Sequence, residues 1–103
     1  MDEVLYYSMT GLIPTSALVG TESQEIAAIN TGRRGIVLQN WHSTNTIFLA
    51  FGVHAAEINK GIALSPNGGC FVMDENMFTS GVINAIATGA NTLLTIQEFL
   101  NAH

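Results

Sequence analysis

The sequence predicts an all-β protein, a single antiparallel β-sandwich or jelly-roll-like domain of about seven or eight short strands with an extended N-terminal arm. Turn chemistry is the first reason: Thr31-Gly32, Ser43-Thr44-Asn45, Asn59-Lys60-Gly61, Pro66-Asn67-Gly68-Gly69, Asp74-Glu75-Asn76, Ser80-Gly81 and Gly89-Ala90-Asn91 punctuate the chain. The segments between them run about 5–9 residues, the length of strands rather than helices. Those segments alternate apolar with polar residues or run fully apolar, which is the second reason. Third, 103 residues with 48% hydrophobic and 11% charged content make one domain's worth of chain, well outside the disordered regime.

Taken in order, Val4 to Pro14 is apolar and aromatic without clean periodicity, so residues 1–14 read as an arm and residues 15–103 as the sandwich domain. Such an arm is hard to cover within so small a domain, which places Leu5, Tyr6, Tyr7, Leu12 and Ile13 against a neighbouring subunit. Ser16–Thr21 and Glu25–Asn30 read as strands. In Arg33–Trp41, Ile36 and Leu38 share the core face, with Val37, Gln39 and Trp41 on the other. In Thr46–Val53, Ile47, Leu49, Phe51 and Val53 alternate with Phe48 and Ala50, a strand covered on both faces and therefore central. Ile62–Val72 reads as a hairpin around Pro66-Asn67-Gly68-Gly69. Gly81–Thr88 and Thr92–Leu100 read as a final antiparallel pair with Leu94 and Ile96 facing in. A helix competes for that last segment, because Leu93, Ile96 and Leu100 also share a helical face that Thr92 could cap.

Three basic against eight acidic residues, a net charge of −5, leave no cationic footprint for a phosphate backbone, so no nucleic-acid partner is expected. The acidic start Met1-Asp2-Glu3 lacks the basic character of a secretory signal. The longest apolar run, Ile47–Val53, falls well short of the roughly 20 residues a membrane-spanning helix needs, so no membrane partner is expected either. Cys70 is the sole cysteine, and no disulfide can form within the chain. Synthesis in a bacterial or host cytoplasm is the default.

Candidate chemistry is sparse. Cys70 with His42, His54 or His103, and Asp74 as orienter, is the one conceivable nucleophilic set, against which stands Cys70 as a small buried apolar residue beside Phe71 and Val72. The second reading is preferred, and no enzyme activity is expected. His54 and Glu57 lie three apart on a loop, where that spacing has no ligand geometry, so neither metal nor cofactor is expected. Gly32-Arg33-Arg34-Gly35 and Pro66-Asn67-Gly68-Gly69 are turns rather than phosphate cradles. Arg33 and Arg34, the only basic pair, suit pairing with an acidic neighbour, another subunit's included, over ligand binding, and are counted with the subunit or partner contacts. Trp41-His42 at a strand end suits an interface anchor, the rival reading being a sugar-stacking platform.

The surface points to association. Asn, Ser and Thr number 25 against 11 charged residues, where an ordinary soluble monomer draws roughly a quarter of its residues from the charged types. Exposed sandwich edges with few Lys and two Pro carry little protection against strand pairing, so a closed symmetric oligomer is expected.

Four segments carry a resemblance: Gly32 to Asn40, with an arginine leading into an "IxLQN" strand; Ile47 to Gly52, a "fxxFG" strand; Gly61 to Gly69, a "GixLxPxGg" turn region; and Gly81 to Ala87, a "GxIxAia" strand, ahead of Glu98. Over about residues 30–100 the chain resembles small β-sandwich virion proteins of tailed bacteriophages, and the first 30 residues are unmatched. That resemblance implies a capsid decoration or cement protein, or a head or tail appendage, located in the virion and commonly trimeric. It implies the major capsid protein or another virion protein as partner, and a rival role as a tail or fibre module binding cell-surface glycan. It implies outward or partner-facing loops at Trp41–Asn45 and Val53–Lys60, and brings no catalytic residues with it.

Overall fold

The computed structural model of the chain describes residues 9–74 and 79–101. Those residues form nine strands: β1 (Met9–Gly11), β2 (Thr15–Val19), β3 (Gln24–Ala27), β4 (Arg33–Asn40), β5 (Ile47–Phe51), β6 (Ile62–Leu64), β7 (Cys70–Met73), β8 (Ile83–Ala87) and β9 (Thr92–Asn101). They build two antiparallel sheets, one ordered β1/β2–β9–β4–β7 (sheet A) and one β3–β8–β5–β6 (sheet B). From β2 onward consecutive strands change sheet at every step except β5 to β6, which is the jelly-roll arrangement. The expected all-β sandwich is therefore the fold, and Thr92 onward is strand, not helix. No helix among the described residues is long and apolar enough to cross a membrane.

The inward rows follow the strand alternation. Ile36 and Leu38 of β4 and Leu94 and Ile96 of β9 meet Ile47 and Leu49 of β5 and Ile83, Ala85 and Ala87 of β8 in one buried cluster. Phe71 and Phe51 reach across from opposite sheets with ring centroids 5.4 Å apart. β5 lies between β8 and β6, the interior position its two apolar faces require.

Two expected pairings are corrected. Ile62–Val72 is not a hairpin, because β6 joins sheet B and β7 joins sheet A. Asn67 (φ 63°) and Gly68 (φ 102°) do make a tight turn there. The turn bonds to the end of β4 and carries the chain across: Gly68 N–H donates to the Asn40 carbonyl at 2.7 Å, and Asn40 N–H to the Gly69 carbonyl at 2.8 Å. Likewise β8 and β9 do not pair but face each other across the core. Both bury alternate residues, so side-by-side pairing and face-to-face packing demand the same sequence pattern. Part of the expected arm pairs within the chain. Residues 9–14 run along β9, with Gly11 opposite Phe99 and Thr15 opposite Ile96, so four steps oppose three and a one-residue bulge falls before Thr15. Pro14 has no N–H to leave unpaired at such an edge. Leu5, Tyr6 and Tyr7 lie outside the described residues.

One end of the sandwich is closed by Arg33, whose side chain is 0% exposed. Its Nε donates to Glu98 Oε2 at 2.7 Å, its Nη1 to the carbonyls of Thr79 and Gly81 at 2.9 and 2.8 Å, and its Nη2 to the Ala28 carbonyl at 2.8 Å. The expectation that Arg33 serves a subunit contact is thus replaced: the acidic partner is on the same chain, and the guanidinium is enclosed. Replacing Arg33 by Met leaves the Glu98 carboxylate and three carbonyls without their donor. The expected cost is about 3–5 kcal/mol, most of a small domain's stability, read from urea unfolding. Adding Glu98→Gln to that variant recovers part of the loss, because it removes the uncompensated charge.

Candidate functional site

The two outer faces of the sandwich differ in how the chain itself treats them. Outside sheet B, the connection from β5 to β6 folds back over Phe48 and Ile86 and buries Ala56 against them. Ala56 N–H donates to Ser23 Oγ at 2.8 Å, and Asn84 Nδ2 to the His54 carbonyl at 2.7 Å. Gly61 lets this loop re-enter β6: its φ is 81°, and a Cβ there would strike the Leu49 carbonyl oxygen. The loop holding His54 and the exposed Glu57–Lys60 ion pair is therefore a cover for sheet B, with Val53 left 88% exposed at its start.

Sheet A has no such cover among the described residues. Its outward side chains stand in rows set by the register. Leu18 lies opposite Leu93, and Trp41 sits beside Leu93 through its N–H to the Leu93 carbonyl. Ser16, Thr95, Gln39 and Cys70 form the next row, and Gln97, Val37 and Val72 the third. These ten side chains include no charged group. Arg34 at the β4 bulge and Asp74 just beyond β7 mark the border. Leu18, Trp41 and Val72 are each more than half exposed, at 58, 53 and 59%. Scattered apolar side chains are ordinary on a protein surface, and what distinguishes this face is that its apolar and polar side chains adjoin without a charge among them.

Gln39, Gln97, Thr95 and Trp41 on this face have side-chain donors engaged by the chain itself. Gln39 Nε2 donates to the Gly68 carbonyl and Gln97 Nε2 to the Leu12 carbonyl, both at 2.9 Å. Trp41 Nε1 donates to Thr95 Oγ1 at 2.9 Å, and Thr95 Oγ1 to the Gln39 carbonyl at 3.4 Å. With its one donor engaged by Thr95, Trp41 offers a ring that adjoins Leu93.

His42 belongs to the adjoining loop. Its Nδ1 accepts the backbone N–H groups of Thr44 and Asn45 at 3.0 and 2.9 Å, which puts the ring proton on Nε2. Its carbonyl accepts Asn67 N–H at 2.8 Å, so the ring organises a turn. Beneath it Asn40, fully buried, donates to the carbonyls of Asn45 and Leu64 and accepts the His42 N–H. Cys70 is exposed on the sheet A face, not buried as expected, because β7 is an edge strand and Phe71 takes the inward position beside it. Ile13 is exposed and Leu12 half-buried at the bulge, while Arg34 donates from Nη1 to the Arg33 carbonyl. Among the described residues no group of three or more His, Cys, Asp or Glu is placed to hold a metal ion.

The sequence reading named Val37, Gln39 and Trp41 as one outward face but did not join them to Leu18, Leu93, Gln97 and Val72. The missing signal was long-range: β9 lies between β2 and β4, a register that no local window carries. Compared with protein-family models, curated proteins and solved structures, the chain finds no match.

Because these side chains point away from the core, Leu18→Lys and Val72→Lys are expected to change folding stability by less than about 1 kcal/mol each, measured by urea unfolding of dilute protein. Asn40→Leu, by contrast, orphans two carbonyls and one N–H and is expected to cost about 2–4 kcal/mol in the same measurement.

Proposed function

We propose that this chain is a structural protein that works by docking, in which copies associate through the outer face of sheet A into a closed symmetric oligomer. A trimer is the form implied by the resemblance to phage virion proteins. In this reading the oligomer joins the major capsid protein or another virion protein as a decoration or cement component. It stabilises the assembled shell by mass action, since it binds that state better than its dissociated parts.

The observation that supports this reading is the uncharged face of sheet A, uncovered by the described chain, while sheet B carries its own cover. Two copies of a chain with net charge −5 repel. Meeting through a face without carboxylates keeps the like charges at the periphery, which is the form of charge complementarity open to self-association. Jelly rolls occur in capsid and lectin domains alike, so the architecture is compatible with shell assembly but does not choose it.

The test is native mass together with particle occupancy. The unaltered chain at micromolar concentration is expected to run as one discrete oligomer and to decorate purified particles. The Leu18→Lys/Val72→Lys double variant is expected to run as a folded monomer and to lose occupancy at least tenfold. An unaltered chain that is monomeric, or a double variant that keeps the full oligomer, overturns the reading.

A further inference from the structure

The sheet A face carries a recess of about 240 Å³ lined by Pro14, Val37, Gln39, Thr95, Ile96 and Gln97. It lies beside the bulge that ends at Thr15, and its lining mixes the aliphatic Pro14 and Val37 with the uncharged polar Gln39, Thr95 and Gln97. Gln39 and Gln97 line it with amides whose N–H groups are directed to backbone carbonyls, so each retains an amide oxygen with acceptor capacity. An uncharged slot that offers aliphatic carbon beside two amide oxygens fits a tyrosine: a ring to fill it and a hydroxyl to donate.

We propose that the occupant of this face is the N-terminal segment, residues 1–8, of a neighbouring copy, with Tyr6 or Tyr7 seated in the recess. This rests on the association through sheet A proposed above and names what crosses that face. Val4-Leu5-Tyr6-Tyr7 is the most apolar and aromatic part of the segment. In an extended chain Val4 and Tyr6 point to one side and Leu5 and Tyr7 to the other, so either register presents one aliphatic and one aromatic group.

Where the described chain begins argues for a neighbour rather than the same copy. β1 runs antiparallel to β9, with Met9 opposite Asn101 and Gly11 opposite Phe99. β1 thus enters at the Asn101 end of β9, away from the recess at Thr95 and Gln97. Returning to it requires a tight reversal ahead of Met9, and residues 1–8 contain no Gly, Pro or Asn, with Asp2 and Ser8 as their turn-forming types. Extended, eight residues reach up to about 28 Å, more than the width of about 15 Å of a four-column sheet. Area argues the same way. The three rows cover on the order of 300–400 Å², about half of the roughly 800 Å² per partner found in standard stable interfaces, so a second face alone is insufficient and an arm supplies the rest.

Cys70, exposed in the row of Gln39, supplies a native thiol next to the recess. Full-length Leu5→Cys/Cys70→Ser and, separately, Val4→Cys/Cys70→Ser are each mixed with the unaltered chain bearing a mass tag and oxidised mildly. In these mixtures an arm-to-face disulfide can form only between chains. A covalent mixed species from either pairing, its bridge mapped to Cys70 by peptide mass spectrometry, is the expected result. A second arm keeps Cys70 in the same chain as Leu5→Cys or Val4→Cys. A bridge that forms there within one chain, with none in the mixtures, assigns the recess to the chain's own segment and overturns the proposal. No bridge in any arrangement overturns it too. If the oligomer is then still broken by Leu18→Lys/Val72→Lys, the docking face stands and only its occupant was misassigned; if it is not, the docking reading itself has failed.

Discussion

A guanidinium removed from water has five N–H donors to place, and around Arg33 four bonds are supplied from three separate parts of the chain. Glu98 belongs to sheet A, whereas Ala28 follows β3 and Gly81 precedes β8, both strands of sheet B. The two sheets are consequently fixed to each other at that end through one side chain of β4. Asn40 does the equivalent at the other end of the same strand, reaching the Leu64 carbonyl at the end of β6. Between these polar ends lie Ile36 and Leu38, wholly buried. Hydrophobic burial along the middle of β4 is non-directional and would tolerate sliding of one sheet over the other. Hydrogen-bonded side chains at both ends do not, because any slip leaves a buried donor unpaired.

That registration has a consequence on the outside. With the sheets locked, β9 is held between β2 and β4, and outward residues from four distant segments come into line as one surface. The fold treats its two outer faces unequally: the β5–β6 connection spends ten residues, 52–61, covering sheet B. A surface whose amides bond to its own backbone, and whose exposed groups are chiefly Leu, Val and Trp, gains little from water. The docking proposed above would remove such a surface from solvent.

Much of this was legible in the sequence, and the boundary is physical. Alternation separated Ile36 and Leu38 from Val37, Gln39 and Trp41, because inward and outward positions follow from a period of two within one strand. The same alternation could not tell whether β6 pairs β7, since a strand facing its successor across the core shows the same pattern as one lying beside it. Pairing of Arg33 with an acidic group follows from its charge, but no local window says that the group is Glu98, sixty-five positions away on the same chain, rather than one on another subunit. Cys70 was read as buried from its neighbours Phe71 and Val72, though only Phe71 turns inward, and Val72 is among the more exposed apolar residues. Errors of this kind fall wherever partnership is decided by topology rather than by sequence neighbours.

Topology also decides which surface can associate. An open sandwich has four edges, and low charge with two prolines suggested that these would be the points of contact. The edges are in fact poor templates. β6 has three residues and β7 four, β3 is four residues long with a register shift between Glu25 and Ala27, and the β1/β2 edge is broken by the bulge beside Pro14. Short and interrupted edges offer too few aligned N–H and C=O groups to sustain pairing with another chain. Growth by strand addition is thereby disfavoured, and open-ended aggregation with it. For the self-association proposed above, the side chains of sheet A then remain as the means, and contact through a bounded face can close on itself whereas edge-to-edge pairing propagates.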